Sequence, residues 1–125
     1  MDAPKSYELK TFVPAKDFEQ SKQFYKDIGF DMDWESDGIA QFKTGDFQFL
    51  LQDHYVKDFA ENFMMFLFVD DVDEWWNHIQ QTGISEKYKI RLKPPQDYPW
   101  GIREIHMIDP TGVFWHFGKN LESGA

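Results

Sequence analysis

The residues best suited to chemistry lie in one segment, PWGIREIHMIDPTGVFWHF, which begins at Pro99. Trp100 stands between Pro99 and Gly101, at a junction between a loop and a strand, where its planar ring could stack on a ligand. An indole there could equally close the end of the fold as scaffold. The segment also contains His116, on a strand that follows an Asp-Pro-x-Gly turn. Because binding residues tend to lie on loops held by rigid elements, we expect a ligand site here.

The remaining reactive residues form no recognisable catalytic motif. His54, His78 and His106 fall on a loop, a helix and a strand, without His-x-His or His-x-x-x-His spacing, and each is expected to be a surface or half-buried polar residue. The sequence has no nucleophile elbow, phosphate loop or dinucleotide-binding glycine pattern. It has no cysteine, which excludes disulfides, thiolate metal sites and cysteine nucleophiles.

Composition favours a small acidic domain with an affinity for cations. The formal net charge of −9 repels nucleic acid and anionic membranes, although it also keeps many proteins in solution. A core of this size should not hide all of the 13 Phe, 5 Trp and 5 Tyr, so some should line a cavity or an interface. The chain shows no apolar run of membrane-spanning length and no signal-peptide pattern, so we expect a cytoplasmic protein.

Capping signals predict one arrangement of elements that occurs twice. A capping box at Asp17 predicts a helix ending at Gly29, and a second at Asp71 predicts one ending at Gly83, twelve positions apart in each case. A strand is expected directly after each glycine, and nine extra residues of the second repeat are expected in the loop from Lys93 to Pro99. The other predicted strands are Tyr7–Val13, Phe30–Glu35 with Phe30, Met32 and Trp34 on one face, Ile39–Lys43, Phe47–Gln52, and Phe63–Val69 buried on both faces. The fold class is therefore α+β: one domain over residues 1–125, with two βαβββ modules at about 6–54 and 62–119.

The doubled module resembles the vicinal oxygen chelate superfamily, which includes glyoxalase I, extradiol dioxygenases, fosfomycin-resistance enzymes and bleomycin-resistance proteins. The run FEQSKQFYKDIGF from Phe18 is similar to the first helix and following strand of that superfamily, and the DPTG turn from Asp109 to its last hairpin. The resemblance implies that the two modules curl into partial barrels around one cup-shaped site.

The resemblance also identifies the positions where superfamily enzymes hold a divalent metal. They fall between Glu8 and Lys10, at Leu50 or Leu51, at Met65 and at His116. Met and Leu cannot replace the imidazole and carboxylate ligands that such ions need. We therefore expect no catalytic metal and no cofactor, with Glu8 and His116 as the remaining metal candidates.

The segment from Pro99 is similar to bleomycin-resistance proteins, in which PWG is followed by Arg-Glu, a DPxG turn and a strand ending in His-Phe. Ile102 adds one residue between the glycine and the arginine of that pattern, and so affects the direction in which the Trp100 side chain points. The resemblance implies a metal-free homodimer that sequesters a planar, cationic antibiotic in an aromatic, acidic cleft between subunits. It also implies that the first strand, ending at Val13-Pro14, either crosses to the partner subunit or packs at the dimer seam. The ligand-binding residues expected from it are Trp34, Gln52, Glu61, Asn62, Trp100, Gly101 and His116.

Two alternatives remain open. The chain could be a metal-dependent glyoxalase- or dioxygenase-type lyase or oxidoreductase of the same superfamily. It could also bind another planar or cationic metabolite. We expect binding rather than catalysis, with no nucleic-acid or membrane partner.

Overall fold

Two four-stranded sheets, each packed on one side against helices, form the protein. The computed structural model describes residues 1–122. The elements are β1 (Phe12–Pro14), α1 (Phe18–Ile28), β2 (Asp31–Ser36), β3 (Ile39–Thr44), β4 (Phe47–Gln52), α2 (Lys57–Ala60), β5 (Met64–Phe68), α3 (Val72–Thr82), α4 (Ile84–Tyr88), β6 (Leu92–Asp97), β7 (Ile102–Ile108) and β8 (Phe114–Asn120). The strand orders are β1-β4-β3-β2 and β5-β8-β7-β6, so the two modules share one topology. The α+β class and the doubled module are confirmed, and over residues 1–122 the sheets do not close into a barrel.

Both predicted helix starts and ends are present. Asp17 and Asp71 each accept a hydrogen bond from the backbone N–H three residues along, at 3.1 and 3.0 Å, which satisfies a donor at the start of α1 and α3. Gly29 and Gly83 end these helices in the left-handed region, with φ of 108° and 69°, which glycine adopts without steric cost. Local sequence therefore defines both long helices.

The core lies between the helices and one face of each sheet, and it is continuous across the two modules. Tyr25 of α1 joins them, because its hydroxyl donates to the Asp109 carboxylate and accepts a 3.0 Å hydrogen bond from the Trp115 indole. Asp109 in turn accepts hydrogen bonds from three backbone N–H groups of its own turn. These buried polar groups are fully partnered, which is the condition for placing them in a core.

The first strand is shorter than the predicted Tyr7–Val13. Only Phe12–Pro14 form a ladder, parallel to Leu50–Gln52 of β4, and Tyr7 and Leu9 are almost fully exposed. Alternating apolar residues form a strand only where a neighbouring strand supplies hydrogen-bond partners. Leu50 N also donates to Thr11 O at 2.9 Å, but within residues 1–122 no backbone hydrogen bond reaches residues 7–10.

The strand that opens the second module is not buried on both faces. In β5, Met64, Phe66 and Phe68 are exposed, whereas Met65 and Leu67 are half-buried against the core. The prediction was wrong because helices cover only one face of this sheet. The other face carries Phe66 and Phe68, which remain 40% and 54% exposed within residues 1–122.

The extra residues of the second module also lie elsewhere than predicted. Gly83 is followed by α4 rather than by a strand, and the fully buried Ile84 anchors this helix to the core. Relative to the first module, seven of the nine extra residues precede β6, and two lengthen the next turn. The predicted loop from Lys93 is mostly strand, since β6 runs to Asp97. Trp100 is therefore carried by a four-residue turn and not by a long insertion.

Trp34 does not share a face with Met32. A bulge in β2 shifts the register between them, so that Met32 pairs with the buried Phe42 and Trp34 with Gln41. Adjacent residues of β3 point to opposite faces of the sheet. Trp34 therefore lies on the open face of the first sheet, and it is half exposed.

Candidate functional site

The β7–β8 hairpin brings Glu104, His106 and His116 together on the open face of the second sheet. Glu104 and His106 are two positions apart on one strand and so point to the same side. The turn after Asp109 sets a register in which His106 pairs directly with His116. Trp115 and Phe117, on either side of His116, point the other way into the core.

Glu104 is the centre of this cluster and is only 1% exposed. Its Oε1 atom lies 2.9 Å from His106 Nε2 and 2.8 Å from His116 Nδ1, and its Oε2 atom accepts a 2.5 Å hydrogen bond from the Trp100 indole. A buried carboxylate is tolerated only where hydrogen bonds replace its hydration. Here two imidazoles and an indole supply those hydrogen bonds, in place of Lys or Arg.

The charge state of Glu104 follows from these contacts. Burial by itself would raise the pKa of this carboxyl. The hydrogen bonds from His116, Trp100 and His106 outweigh burial and hold the pKa of Glu104 below its usual range. The cluster therefore contains a buried negative charge at neutral pH, directly beneath the edge of an exposed tryptophan.

Trp100 is held on two sides yet remains 60% exposed. One face of its indole stacks on the Tyr98 ring, with centroids 4.5 Å apart and planes inclined by 11°. The turn from Tyr98 to Gly101 is closed by hydrogen bonds from Tyr98 N to Ile102 O and from Gly101 N to Tyr98 O, both 3.0 Å. Gly101 has a φ of 89°, a conformation that glycine adopts without strain. The other indole face is available to a ligand.

Aromatic rings surround His116 on the open face. Its imidazole stacks between Phe66 and Phe114, with centroids at 5.1 and 4.3 Å and planes within 8° of parallel. Phe68 stacks on Phe66 at 4.4 Å and continues the aromatic surface. The open face of the second sheet therefore presents stacked aromatic rings beside the buried, ionised Glu104.

The other predicted ligand-binding residues lie apart from this cluster within one chain. Trp34 and Gln52 belong to the first sheet, Gln52 at the end of β4 opposite Ile39. Glu61 and Asn62 follow α2, where Asn62 donates to Asp58 O at 2.6 Å and Glu61 lies against Gly112 in the hairpin turn. That turn is at the opposite end of β7 and β8 from Trp100, about 20 Å away at ~3.3 Å per residue.

The superfamily's metal positions hold few suitable ligands. Glu8 precedes β1 and pairs with Lys10 at 3.4 Å. The position beside His116 on β5 is Phe66, because Met65 pairs with Trp115 on the core side. Among residues 1–122, the only group of three or more His, Asp or Glu donors close enough to share one ion is Glu104, His106 and His116. This donor set is chemically competent for a divalent ion, but two of its three members lie on β7, away from the superfamily positions.

An acidic groove of about 640 Å³ lies between the modules, apart from the Glu104 cluster. It is lined by Asp70, Asp71 and Glu74 at the start of α3, together with Trp75 and His78. Asp71 caps α3, and His78 Nε2 lies 2.6 Å from Ile28 O. Since His78 joins α3 to α1 of the first module and Asp71 caps α3, both already have structural roles, and we assign this groove to the scaffold.

Tyr98, Glu104 and His106 were not among the predicted site residues. The signal for the last two is present in the sequence, as a Glu-x-His spacing on a strand whose following turn fixes the pairing of His106 with His116. Counting outward from the DPTG turn would have found it. The role of Tyr98 depends on the geometry of the four-residue turn, which sequence spacing does not reveal.

Comparisons with known proteins agree with this architecture. Residues 9–117 match the model of the Glyoxalase/Bleomycin resistance protein/Dioxygenase superfamily. A curated bleomycin resistance protein from Klebsiella pneumoniae is 26% identical over 111 residues, covering 86% of this chain and 88% of its own length.

No helix within residues 1–122 is long and apolar enough to cross a membrane.

Solved structures show the same fold. A bleomycin-binding protein in complex with bleomycin superimposes with a TM-score of 0.79 at 24% identity, covering 92% of this chain and 99% of that one. Lactoylglutathione lyase from Agrobacterium tumefaciens superimposes with a TM-score of 0.65 at 23% identity, covering 93% and 95%. Binding proteins and enzymes thus share this scaffold. The family match covers most of the chain, and the protein belongs to the glyoxalase/bleomycin resistance protein/dioxygenase superfamily.

Proposed function

We propose that the protein is a metal-free binding protein that sequesters a planar, cationic small molecule of the bleomycin type and does not transform it. The observation that carries the proposal is Trp100, an exposed indole held over the buried, ionised Glu104. An indole face attracts cations and stacks on heteroaromatic rings. The relatedness to a bleomycin resistance protein supports the same ligand class.

The binding cleft is proposed to form between two copies of the chain in a homodimer. The open faces of both sheets carry exposed aromatic residues, among them Phe12 and Trp34 on the first sheet and Phe66 and Phe68 on the second. Exposed apolar patches of this kind commonly mark interaction surfaces. A dimer would bring Trp34 and Gln52 of one subunit towards Trp100 of the other, with residues 7–11 at the seam. Light scattering at micromolar concentration tests the assembly, and a monomer would contradict it.

Calorimetric titration with metal-free bleomycin tests the ligand. We expect saturable binding with a Kd in the micromolar range or below, about −8 kcal/mol or more favourable. No heat and no tryptophan quenching up to roughly tenfold above that range would exclude bleomycin. A thermal-shift screen of other planar cations then tests the alternative of a different metabolite, because a tight ligand raises the melting temperature.

A metal-dependent lyase or oxidoreductase is the second candidate, favoured by the convergence of Glu104, His106 and His116. In the structure these groups hydrogen-bond to one another. Elemental analysis of the purified protein separates the two proposals. A stoichiometric divalent ion that is lost in His116→Ala would support the enzyme, and its absence from the wild-type protein would support the binding protein.

A further inference from the structure

We infer that Glu104, held in place by His106 and His116, is a positioning residue that fixes Trp100 with a single indole face open and makes that face selective for cationic planar rings. This rests on the proposed function, because it specifies how the same site chooses its ligand. None of the three residues needs to touch the ligand.

The contacts around Trp100 remove its freedom on two sides. The indole N–H is committed to Glu104 Oε2 at 2.5 Å, and one ring face is covered by Tyr98 at 4.5 Å. An exposed tryptophan without such contacts would exchange between rotamers on a fast timescale. Trp100 is instead exposed and fixed, and only its second face can accept a ring.

The contacts around Glu104 fix the carboxylate in turn. Both imidazoles lie within 2.9 Å of Oε1, and the His106 ring stacks on Tyr98 at 5.1 Å. The Tyr98 hydroxyl lies 3.4 Å from His106 Nδ1. A closed ring of contacts therefore runs from Trp100 through Glu104 and His106 to Tyr98 and back to Trp100. Such pre-organisation lowers the ordering cost of binding.

The carboxylate also changes what Trp100 attracts. A hydrogen bond to an ionised acceptor is stronger than one to a neutral group, and it pushes electron density into the indole ring. A cation over that ring interacts both with the ring face and with the negative charge below its edge. The open face should therefore prefer a cationic ring to a neutral ring of the same shape.

Hydrogen exchange of the Trp100 indole N–H, observed by NMR with ¹⁵N-labelled tryptophan, tests the positioning. The signal is assigned by its loss in Trp100→Phe. We expect exchange at least tenfold slower in the wild type than in Glu104→Ala. The rate in Glu104→Gln should be intermediate, because the single carbonyl oxygen of Gln cannot accept the hydrogen bonds that both carboxylate oxygens accept from Trp100 and the two histidines. Glu86→Gln, which removes an exposed charge on α4, is the matched control and should leave the rate unchanged. If Glu104→Ala does not fold, Glu104→Gln decides. Equal rates in the wild type and Glu104→Gln would overturn the inference.

Two probes of equal shape test the selectivity. N-methylquinolinium is a planar cation, and 1-methylnaphthalene is its neutral counterpart. We expect the wild type to bind the cation at least tenfold more tightly, and the preference to fall below about threefold in Glu104→Gln but not in Glu86→Gln. A preference unchanged in Glu104→Gln would overturn the inference. So would a stoichiometric divalent ion lost in His106→Ala, since the cluster would then be a metal site.

These outcomes are separable from those of the proposed function. A protected Trp100 and a cation preference without bleomycin binding would retain the positioning role and reject the drug as ligand. Bleomycin binding with a rapidly exchanging Trp100 would retain the function and reject the role of Glu104.

Discussion

The two ends of the β7–β8 hairpin each bury a carboxylate, and the two carboxylates have different partners. At the turn, Asp109 accepts hydrogen bonds from three backbone N–H groups at 2.8–2.9 Å and from Tyr25 of the other module. At the open end, Glu104 is bound by side chains alone, those of Trp100, His106 and His116. One carboxylate joins the scaffold and the other organises an exposed surface, within a single hairpin.

The pKa values of Asp109 and Glu104 shift in opposite directions, because in each carboxyl group burial raises the pKa and hydrogen bonds lower it, and a different effect is the larger. Burial raises the pKa of Asp109 to about 6, and the hydrogen bonds from Tyr25 and the turn only partly offset it. At Glu104 the hydrogen bonds outweigh burial, and the pKa is lowered. The buried carboxylate in the core thus binds its proton more tightly than usual, while the buried carboxylate with three side-chain partners on the open face binds its proton less tightly.

Removing Asp109 should have the largest effect on stability. In Asp109→Ala, the turn N–H groups and the Tyr25 hydroxyl lose their buried acceptor, so we expect the free energy of unfolding to fall by about 3 kcal/mol or more. Urea denaturation measures this. Asp73→Ala, which removes an exposed partner of Arg103, should cost less than about 1 kcal/mol. Similar losses in both variants would contradict the scaffold role of Asp109.

The pH dependence of stability should distinguish the two ends. The folded-state pKa of Asp109, about 6, lies above its ordinary value of 3.8, so the native state binds this proton more tightly. The stabilisation is complete below pH ~4 and is lost as the pH rises to about 6, by roughly 2 kcal/mol. Asp109→Asn should abolish this decline in urea titrations across that range. Glu104, with a pKa lowered from its ordinary value of 4.5, should lose its contribution only as the pH falls below that value, and Glu104→Gln should leave the decline towards pH 6 intact.

Truncating Trp100 should affect drug binding more than stability, whereas substitutions of Asp109 should affect stability more than drug binding. Trp100→Ala removes a largely exposed ring and the donor to Glu104 Oε2, so we expect stability to fall by about 1–2 kcal/mol, less than in Asp109→Ala, but the Kd for bleomycin to weaken at least tenfold, about 1.4 kcal/mol. Calorimetric titration of Trp100→Ala and Asp109→Asn with the drug measures the two affinities. Asp109→Asn should bind the drug with a Kd close to that of the wild type under conditions in which it is folded. If Trp100→Ala bound the drug as tightly as the wild type, the open end of the hairpin would not be part of the binding site.

Gly101→Ala should give the smallest effect at the open end. No atom lies within 4 Å of the added Cβ, so its cost comes only from the φ of 89°, about 1 kcal/mol. Thermal unfolding measures it. Because the strain falls in the turn that carries Trp100, drug affinity should fall by a few-fold while the Asp109 end keeps its pH dependence. A stability loss as large as that of Asp109→Ala would indicate a clash that the structure does not contain.

The elements with local signals could be predicted from sequence. The caps at Asp17 and Asp71, the stops at Gly29 and Gly83 and the DPTG hairpin all depend on residues within a few positions of one another. Doubling of the module followed from these, and the superfamily resemblance followed from the doubling together with the quoted motifs.

The features that sequence reasoning missed depend on tertiary neighbours. The run of apolar residues in β5 does not reveal that helices cover only one face. The alternation from Tyr7 does not reveal that β4 pairs only with its last residues, from Phe12 onwards. The bulge that turns Trp34 to the open face leaves no mark in the alternating pattern. At the candidate site, Trp100 and His116 were predicted from sequence to bind a ligand, whereas the contact of both with Glu104 depends on strand register.

The most direct test of the open end as the ligand site is an NMR titration of ¹⁵N-indole-labelled protein with metal-free bleomycin. Trp100 and Trp115 both donate their indole N–H within the protein, the first at the open face and the second to Tyr25 in the core. We predict that the Trp100 signal shifts and saturates with the drug while the Trp115 signal stays in place. A saturating calorimetric titration in which the Trp100 signal does not move would contradict the account.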